Sequence, residues 1–300
     1  MKAKPTASLK TAAVPDVPPE VRPGQSIELL KALHILTREG KLNQDSRRKL
    51  KQVYHLCQFI EGPLKSLLDS KKAPGARLTL ADHGAGKSYL GFILYDLYFK
   101  AVLDSAASPV QGHIYGIETR AELVASSRAL AQRLGFYGMS FLNLSVADSA
   151  ASAELPEQID IVTALHACDT ATDDAIDFAL QKKAQALVLV PCCQAEVAAC
   201  LRQTKALTLS RTPLAELWRH PLHTREFGSQ ITNVLRCLYL EARGYQVTVT
   251  ELVGWEHSLK NELILARYTG QSKHSAATRL QALLTQFGLE SLIGVRFKLS

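Results

Sequence analysis

From Ala76 onward the chain alternates apolar runs of strand length with amphipathic runs of helix length, and this alternation restricts the fold more than any other feature. Strand-like segments fall at 76–81, 113–117, 140–146, 159–165, 186–190, 246–253 and 262–268. Helix-like segments fall between them, at 88–99, 121–134, 173–181, 195–203 and 229–243. Five β-then-α units demand right-handed crossovers, and hence a mostly parallel sheet covered on both faces. The last two strands are separated only by residues 254–261, too few for a crossover, so they are expected as an antiparallel hairpin at one edge. The expected architecture is α/β: a doubly wound, seven-stranded, mostly parallel sheet with an antiparallel terminal hairpin.

Upstream of this pattern the composition changes twice. Residues 1–25 hold five of the 12 prolines and few large apolar groups, and read as a disordered arm. Residues 26–73 show helical spacing in two runs, with Asn43, Gln44, Asp45 and Ser46 offering an N-cap to the second, and read as an N-terminal helical extension. The second helix carries Arg47, Arg48, Lys49 and Lys51 in its first turns, where cations oppose the helix dipole unless an anion offsets them. The main domain is then 74–269, and residues 270–300 form a C-terminal helix and tail.

Composition narrows the class. Of 300 residues 47% are hydrophobic and 21% charged, a globular balance. No run of about 18 apolar residues occurs, so no membrane span is expected. The N-terminus lacks the apolar core of a secretory signal, which leads to the expectation of a cytoplasmic protein. Six cysteines are too sparse for a disulfide scaffold. The net charge of +7 is unevenly spread: 17 basic and 9 acidic side chains in residues 1–100, 5 and 12 in 101–200, 13 and 7 in 201–300. Basic flanks around an acidic middle suit a polyanionic partner beside a cationic cofactor, although solvated surface charge gives the same count.

The chemistry centres on the turn after the first strand, Asp82-His-Gly84-Ala85-Gly86-Lys87-Ser88. A phosphate-binding P-loop would need glycine where Ala81 stands, and Asp82 would set a carboxylate beside the phosphates. A dinucleotide fingerprint would need glycine at Tyr89. A third reading uses every unusual residue: an acid ending the first strand holds the amino acid end of S-adenosylmethionine (SAM), and two glycines admit its close approach. An acid ending the second strand then accepts the ribose hydroxyls. Asp82, Gly84, Ala85 and Gly86 supply the first part and Glu118 the second, while Asp148 and Ser149 after the third strand face the adenine amino group. A P-loop NTPase is the least favoured reading.

The motifs Asp82-His-Gly-Ala-Gly-Lys-Ser, Leu165-His-Ala-Cys-Asp-Thr-Ala-Thr-Asp173, Val190-Pro-Cys-Cys193 and Lys260-Asn-Glu-Leu-Ile264 extend the comparison beyond the turn. Together they resemble the methyltransferase-domain branch of class I SAM-dependent methyltransferases. That branch includes the methyltransferase-like part of glutathione S-transferase C-terminal domain proteins, and is similar to tRNA 2′-O-methyltransferases. The resemblance spans about residues 45–268 and implies a Rossmann-like methyltransferase fold, SAM as cofactor and methyl transfer. Ser88 stands where the family's loop usually carries a third glycine.

Loops after the fourth and fifth strands are where such folds face the methyl acceptor. His166 or Asp169 would take the acceptor proton, with His166 also touching the cofactor. Cys192 could act as a nucleophile toward a pyrimidine, or line the pocket without reacting. A metal held by His166, Cys168, Cys192 and Cys193 is disfavoured, because adjacent cysteines rarely place both sulfurs on one ion. Thr172 or Asp173 is expected to cap the following helix. Residues 204–228 read either as a long connection bearing Arg211, Trp218, Arg219, His220, His223 and Arg225, which with the basic N-terminal helix would grip RNA, or equally as an ordinary helical excursion packing Leu214, Leu217 and Trp218. RNA is the expected acceptor; a small molecule, a protein, or a non-catalytic SAM-binding role are the alternatives.

Overall fold

A computed structural model of the protein describes residues 18–71, 76–100, 111–165, 167–191, 194–204, 213–252 and 262–298. The strands are β1 (Arg77–His83), β2 (Gln111–Glu118), β3 (Met139–Asn143), β4 (Ile161–Ala164), β5 (Ala186–Leu189), β6 (Tyr245–Glu251) and β7 (Glu262–Tyr268). They form one sheet in the order β3-β2-β1-β4-β5-β7-β6. β1 to β5 run parallel, and β7 enters antiparallel between β5 and β6. The expected doubly wound sheet with an antiparallel terminal hairpin is thus present.

Alternation along the strands sorts side chains onto two faces. Leu78, Leu80, Ile114, Ile161 and Val188 join one apolar cluster; Ala81, Ile117, Val162, Leu187 and Ile264 join the other. The first cluster is closed by α1 (Ile27–Ala32), α2 (Gln44–Ser70), α3 (Tyr89–Leu94) and α4 (Ala121–Arg133). A short helix, α5 (Val146–Ser149), follows β3. The second cluster is closed by α6 (Thr170–Gln181), α7 (Glu196–Thr204), α8 (Pro221–Ala242) and α9 (His274–Gln286).

Helix α2 starts where its N-cap predicts, with Asn43 Oδ1 accepting the Ser46 N–H at 2.8 Å. Its buried residues Leu50, Leu56, Cys57, Ile60 and Leu64 recur at helical spacing and pack onto the same cluster as β1, β2 and β5. The helical extension therefore forms one of the two layers covering the sheet together with α3 and α4, and α2 supplies burial that the parallel strands need on that face.

The structure departs from expectation at several points. Residues 1–17 of the expected arm lie outside the described residues. Residues 18–25 are packed: Val21 and Gln25 are buried, and the Ser26 N–H donates to Asp96 Oδ2 at 2.7 Å. Helix α3 continues as a π-helical turn (Tyr95–Phe99). Within 204–228, residues 205–212 lie outside the described residues, a 3-10 turn occupies Pro213–Trp218, and α8 begins at Pro221, because proline at the first helical position needs no hydrogen-bond acceptor. About a third of the expected long connection, residues 221–228, is therefore the first two turns of α8.

Neither Thr172 nor Asp173 caps α6. The helix begins at Thr170, the Thr172 hydroxyl donates to the Ala167 carbonyl, and Asp173 pairs with Arg236 of α8. Arg236 is fully buried; its Nε and Nη2 donate to the two Asp173 oxygens at 2.8 and 2.6 Å, Nη1 to Asn233 Oδ1 and Nη2 also to the Asp169 carbonyl. The guanidinium thereby engages four of its five donors within the protein.

Candidate functional site

Open α/β sheets place ligands in the crevice beyond the carboxyl ends of their strands, where the winding direction reverses. Here the chain reverses between β1 and β4. Beside that point a cleft of about 610 Å³ is lined by the turn after β1 (Gly84 to Lys87), by Glu118, Thr119 and Arg120 ending β2, and by Ala167, Cys168 and Ala171 after β4. Ile117, Leu144 and Val146 complete an apolar wall.

The turn after β1 is built on three alternate left-handed residues, Gly84, Gly86 and Ser88, with φ of 64°, 59° and 52°. Glycine adopts this region without strain, whereas a residue with Cβ pays about 1–2 kcal/mol. Ser88 carries that strain where the resembled family's loop usually has a third glycine, and its buried hydroxyl has no hydrogen-bond partner among the described residues. Ser88→Gly is therefore expected to raise stability by about 1 kcal/mol, roughly 2–3 °C in Tm, with cofactor affinity retained; thermal denaturation of the two proteins checks it.

The predicted site residues separate into two groups. Gly84, Ala85, Gly86 and Glu118 line the cleft. Glu118 is nearly buried at the end of β2 and accepts from the Gly86 N–H at 2.8 Å, the Arg120 N–H at 3.1 Å, and Arg120 Nε and Nη2 at 3.0 and 3.1 Å. Burial opposes its ionisation, but the Arg120 side chain, the two N–H groups and the Arg120 charge outweigh it and hold the carboxyl at about 2.

Asp82, Asp148 and Ser149 are not among the described residues lining the cleft. Asp82 ends on the side of β1 that faces Thr163, whose hydroxyl donates to Asp82 Oδ1 at 2.7 Å. It is buried, and burial pushes its carboxyl up to about 6 despite that hydrogen bond. Asp148 does not end a strand: β3 stops at Asn143, and Asp148 sits on α5 with its N–H and carboxylate bonded to Ser145. Ser149 is fully buried, its hydroxyl against His83 Nε2 at 3.2 Å. His83 itself packs edge-on against Phe178, and burial holds its imidazole down at about 3.

Of the acceptor-side candidates, His166 and Cys192 lie outside the described residues, as do Cys193, Lys260 and Asn261. Asp169 has φ of 52°, and its Oδ1 accepts the Ala195 and Glu196 N–H groups at 2.8 and 3.1 Å. It thereby caps α7 and ties the loop after β4 to the loop after β5. Cys168 is exposed at the cleft. Among the described residues no group of three or more His, Cys, Asp and Glu gathers to hold a metal, and no helix is long and apolar enough to cross a membrane.

Sequence reasoning missed three groups. Arg120 gave no signal beyond its place two residues after a strand-ending acid. Thr163 reads as an ordinary β-branched strand residue. Asn233, Arg236 and Gln194, a buried polar cluster with Glu262 at the start of β7, are brought together only by the packing of α8.

A family model described as a methyltransferase domain matches residues 48–200, just over half of the chain, from within the first turns of α2 through β5 and into α7. The chain belongs to that methyltransferase family. The matched residues include the turn after β1, Glu118, and the loops after β4 and β5 that carry Asp169, so the cleft of this methyltransferase lies wholly within the matched region. No curated protein sequence matches it. Among solved structures it is similar to magnesium protoporphyrin IX methyltransferase from Synechocystis PCC 6803, determined with SAH. That pair is 14% identical over 82% of this chain and 95% of the other, with a TM-score of 0.42. It is also similar to TrmK of M. capricolum, at 11% identity over 75% and 86% with a TM-score of 0.38. An rRNA methylase from Streptococcus thermophilus matches at 9% identity over 68% and 92%, also with a TM-score of 0.38.

Proposed function

We propose that this methyltransferase takes its methyl group from SAM and places it on RNA. The observation that carries the cofactor reading is the cleft itself. Two left-handed glycines bring the backbone close at one end, an apolar wall of Ile117, Leu144 and Val146 suits a purine face, and the Glu118 carboxylate stands where the hydroxyls of a ribose need acceptors. Bound there, SAM supplies a sulfonium-activated methyl whose carbon accepts the acceptor's electron pair as its bond to sulfur breaks.

The chain's own residues then have three tasks. Gly84, Ala85, Gly86 and Glu118 hold the nucleoside and amino acid portions, with Asp82 setting negative charge beneath the turn. Asp148, exposed on the helix that follows β3, is assigned to the adenine side, with the fully buried Ser149 supporting that helix from behind. His166, Asp169 and Cys192, which follow β4 and β5 in the sequence, are assigned to the acceptor, with His166 or Asp169 to receive its proton and positioning to supply much of the rate. Asp169 would act through Oδ2, since Oδ1 caps α7.

The RNA reading rests on the exposed cations of the first turns of α2. Arg47 is paired with Glu20, leaving Arg48, Lys49 and Lys51 as the exposed patch. The second basic segment is weaker support, because Arg219 and Arg225 pair with Glu216 and Glu226. Reversing Arg48, Lys49 and Lys51 to Glu is expected to flatten the salt dependence of RNA binding by about 2–3 units of slope. Filter binding across a salt series checks it; an unaltered slope removes α2 from the interface. The wider test compares modified nucleosides in total RNA from cells with and without the gene. Loss of one methylated nucleoside is expected, and an unchanged profile from a protein that binds SAM would move the acceptor to a small molecule or a protein.

A further inference from the structure

The Glu118 carboxylate is already saturated. Its two oxygens offer about four lone-pair sites, and five donors converge on them: the N–H groups of Gly86 and Arg120, the Thr119 hydroxyl, and Nε and Nη2 of Arg120. The two N–H groups belong to the backbone and hold the carboxylate in place. The guanidinium is different in kind. It approaches from the cleft side, with Nη2 near the open face of Gly86, and its side chain is 59% exposed while Glu118 is 8% exposed. It sets one donor on each carboxylate oxygen, which is the pattern that two vicinal hydroxyls of a ribose would present.

We infer that Arg120 is a displaceable stand-in for a ribose diol, and that it sets the cleft's selectivity for ligands with both hydroxyls free. The inference rests on the SAM reading of the cleft. A nucleoside entering the cleft exchanges two guanidinium donors for two hydroxyl donors, so Glu118 remains fully bonded throughout. A ligand lacking the diol offers nothing in exchange, and must leave the arginine in place or strip the buried carboxylate of two donors, which is costly. The exposed side of the pair keeps the displacement cheap, since a solvent-facing ion pair contributes little. Once displaced, Arg120 stands at the rim of the cleft as an unpaired cation.

Calorimetry with S-adenosylhomocysteine and with its 2′,3′-dideoxy analogue tests this in four proteins: the parent, Arg120→Ala, Glu118→Ala and the double variant. Arg120→Ala is expected to bind S-adenosylhomocysteine about two- to fivefold more tightly than the parent, because no pair must be broken. In the Glu118→Ala background the same change should have no effect, and the parent should bind the dideoxy compound more weakly than S-adenosylhomocysteine. Weaker binding of S-adenosylhomocysteine by Arg120→Ala, or equal tightening with and without Glu118, would overturn the inference by showing that Arg120 assists the ligand or acts elsewhere. No heat from S-adenosylhomocysteine with the folded parent would instead overturn the SAM reading on which it stands.

Discussion

Arg236→Ala is expected to cost about 3–5 kcal/mol, enough to remove a large part of a typical domain's stability. The guanidinium has no solvent exposure and makes four hydrogen bonds: two to Asp173, one to Asn233 and one to the Asp169 carbonyl. Truncation leaves the Asp173 carboxylate buried and uncompensated and also opens a void, and both effects act in the same direction. Lysine cannot replace it, because a single ammonium does not reproduce the fork that spans both Asp173 oxygens. Joint replacement of Asp173 by leucine and Arg236 by methionine should recover most of the loss, since an apolar pair of similar volume carries no unpaired charge. Denaturant unfolding of the three variants measures this. If Arg236→Ala unfolds at the parent's midpoint, the pair contributes nothing. Because Arg236 also holds the Asp169 carbonyl, the recovered double variant is expected to be stable yet slow in methyl transfer.

Asp82→Asn should move stability and function in opposite directions. Burial raises the Asp82 carboxyl from its ordinary 3.8 to about 6, so the folded protein binds this proton more tightly than the unfolded chain does. Stability contributed by that proton is complete below about pH 4 and is lost as the pH rises through about 6. Raising the carboxyl from 3.8 to about 6 corresponds to about 3 kcal/mol of cost at neutral pH. Asparagine carries no such charge and keeps an oxygen for the Thr163 hydroxyl. Its new buried N–H groups oppose the gain by about 1–2 kcal/mol, leaving a net gain of about 1–2 kcal/mol above pH 6 and none from this source below pH 4. His83, whose imidazole is held down at about 3, gives the opposite slope between about 6.5 and 3 in both proteins and cancels in the comparison. Thermal unfolding from pH 4 to 8 should show the two curves separating as the pH rises. In the same protein, affinity for SAM should fall by about 10- to 100-fold through loss of the charge beneath the turn. Parallel stability curves would show that Asp82 ionises in the folded protein as it does in the unfolded chain, and unaltered affinity would remove it from the cofactor's environment.

Destabilising charge at Asp82 and backbone strain at Ser88 fall within one seven-residue stretch. Natural sequences accept such local conflicts at functional sites and offset them elsewhere. Here the offset comes from the surrounding core, where β1, α2 and α3 bury large apolar side chains on the same face of the sheet as Asp82.

How much of this was legible beforehand depends on the range of the interaction concerned. The strands and the start of α2 followed from periods of two and 3.6 residues and from an Asx N-cap, which act over a few residues. The turn at Gly84 and Gly86 followed from two glycines placed directly after a strand, and the structure adds that both are left-handed. The start of α6 and the partner of Asp173 were not legible. Thr172 and Asp173 carry good capping chemistry, and only the approach of Arg236, 63 residues away, draws the carboxylate into a buried pair.

Local chemistry along the chain was thus enough to define the strands, the hairpin, the glycine turn and Glu118 as an acid ending a strand, because each depends on neighbours a few positions away. Three-dimensional packing alone decided that β7 enters between β5 and β6, that α2 covers the sheet, that Asp82 faces Thr163 and that Arg120 occupies Glu118. Those outcomes depend on which distant surfaces exclude water together and which charges they leave facing one another, and neither quantity has a signature in residue spacing.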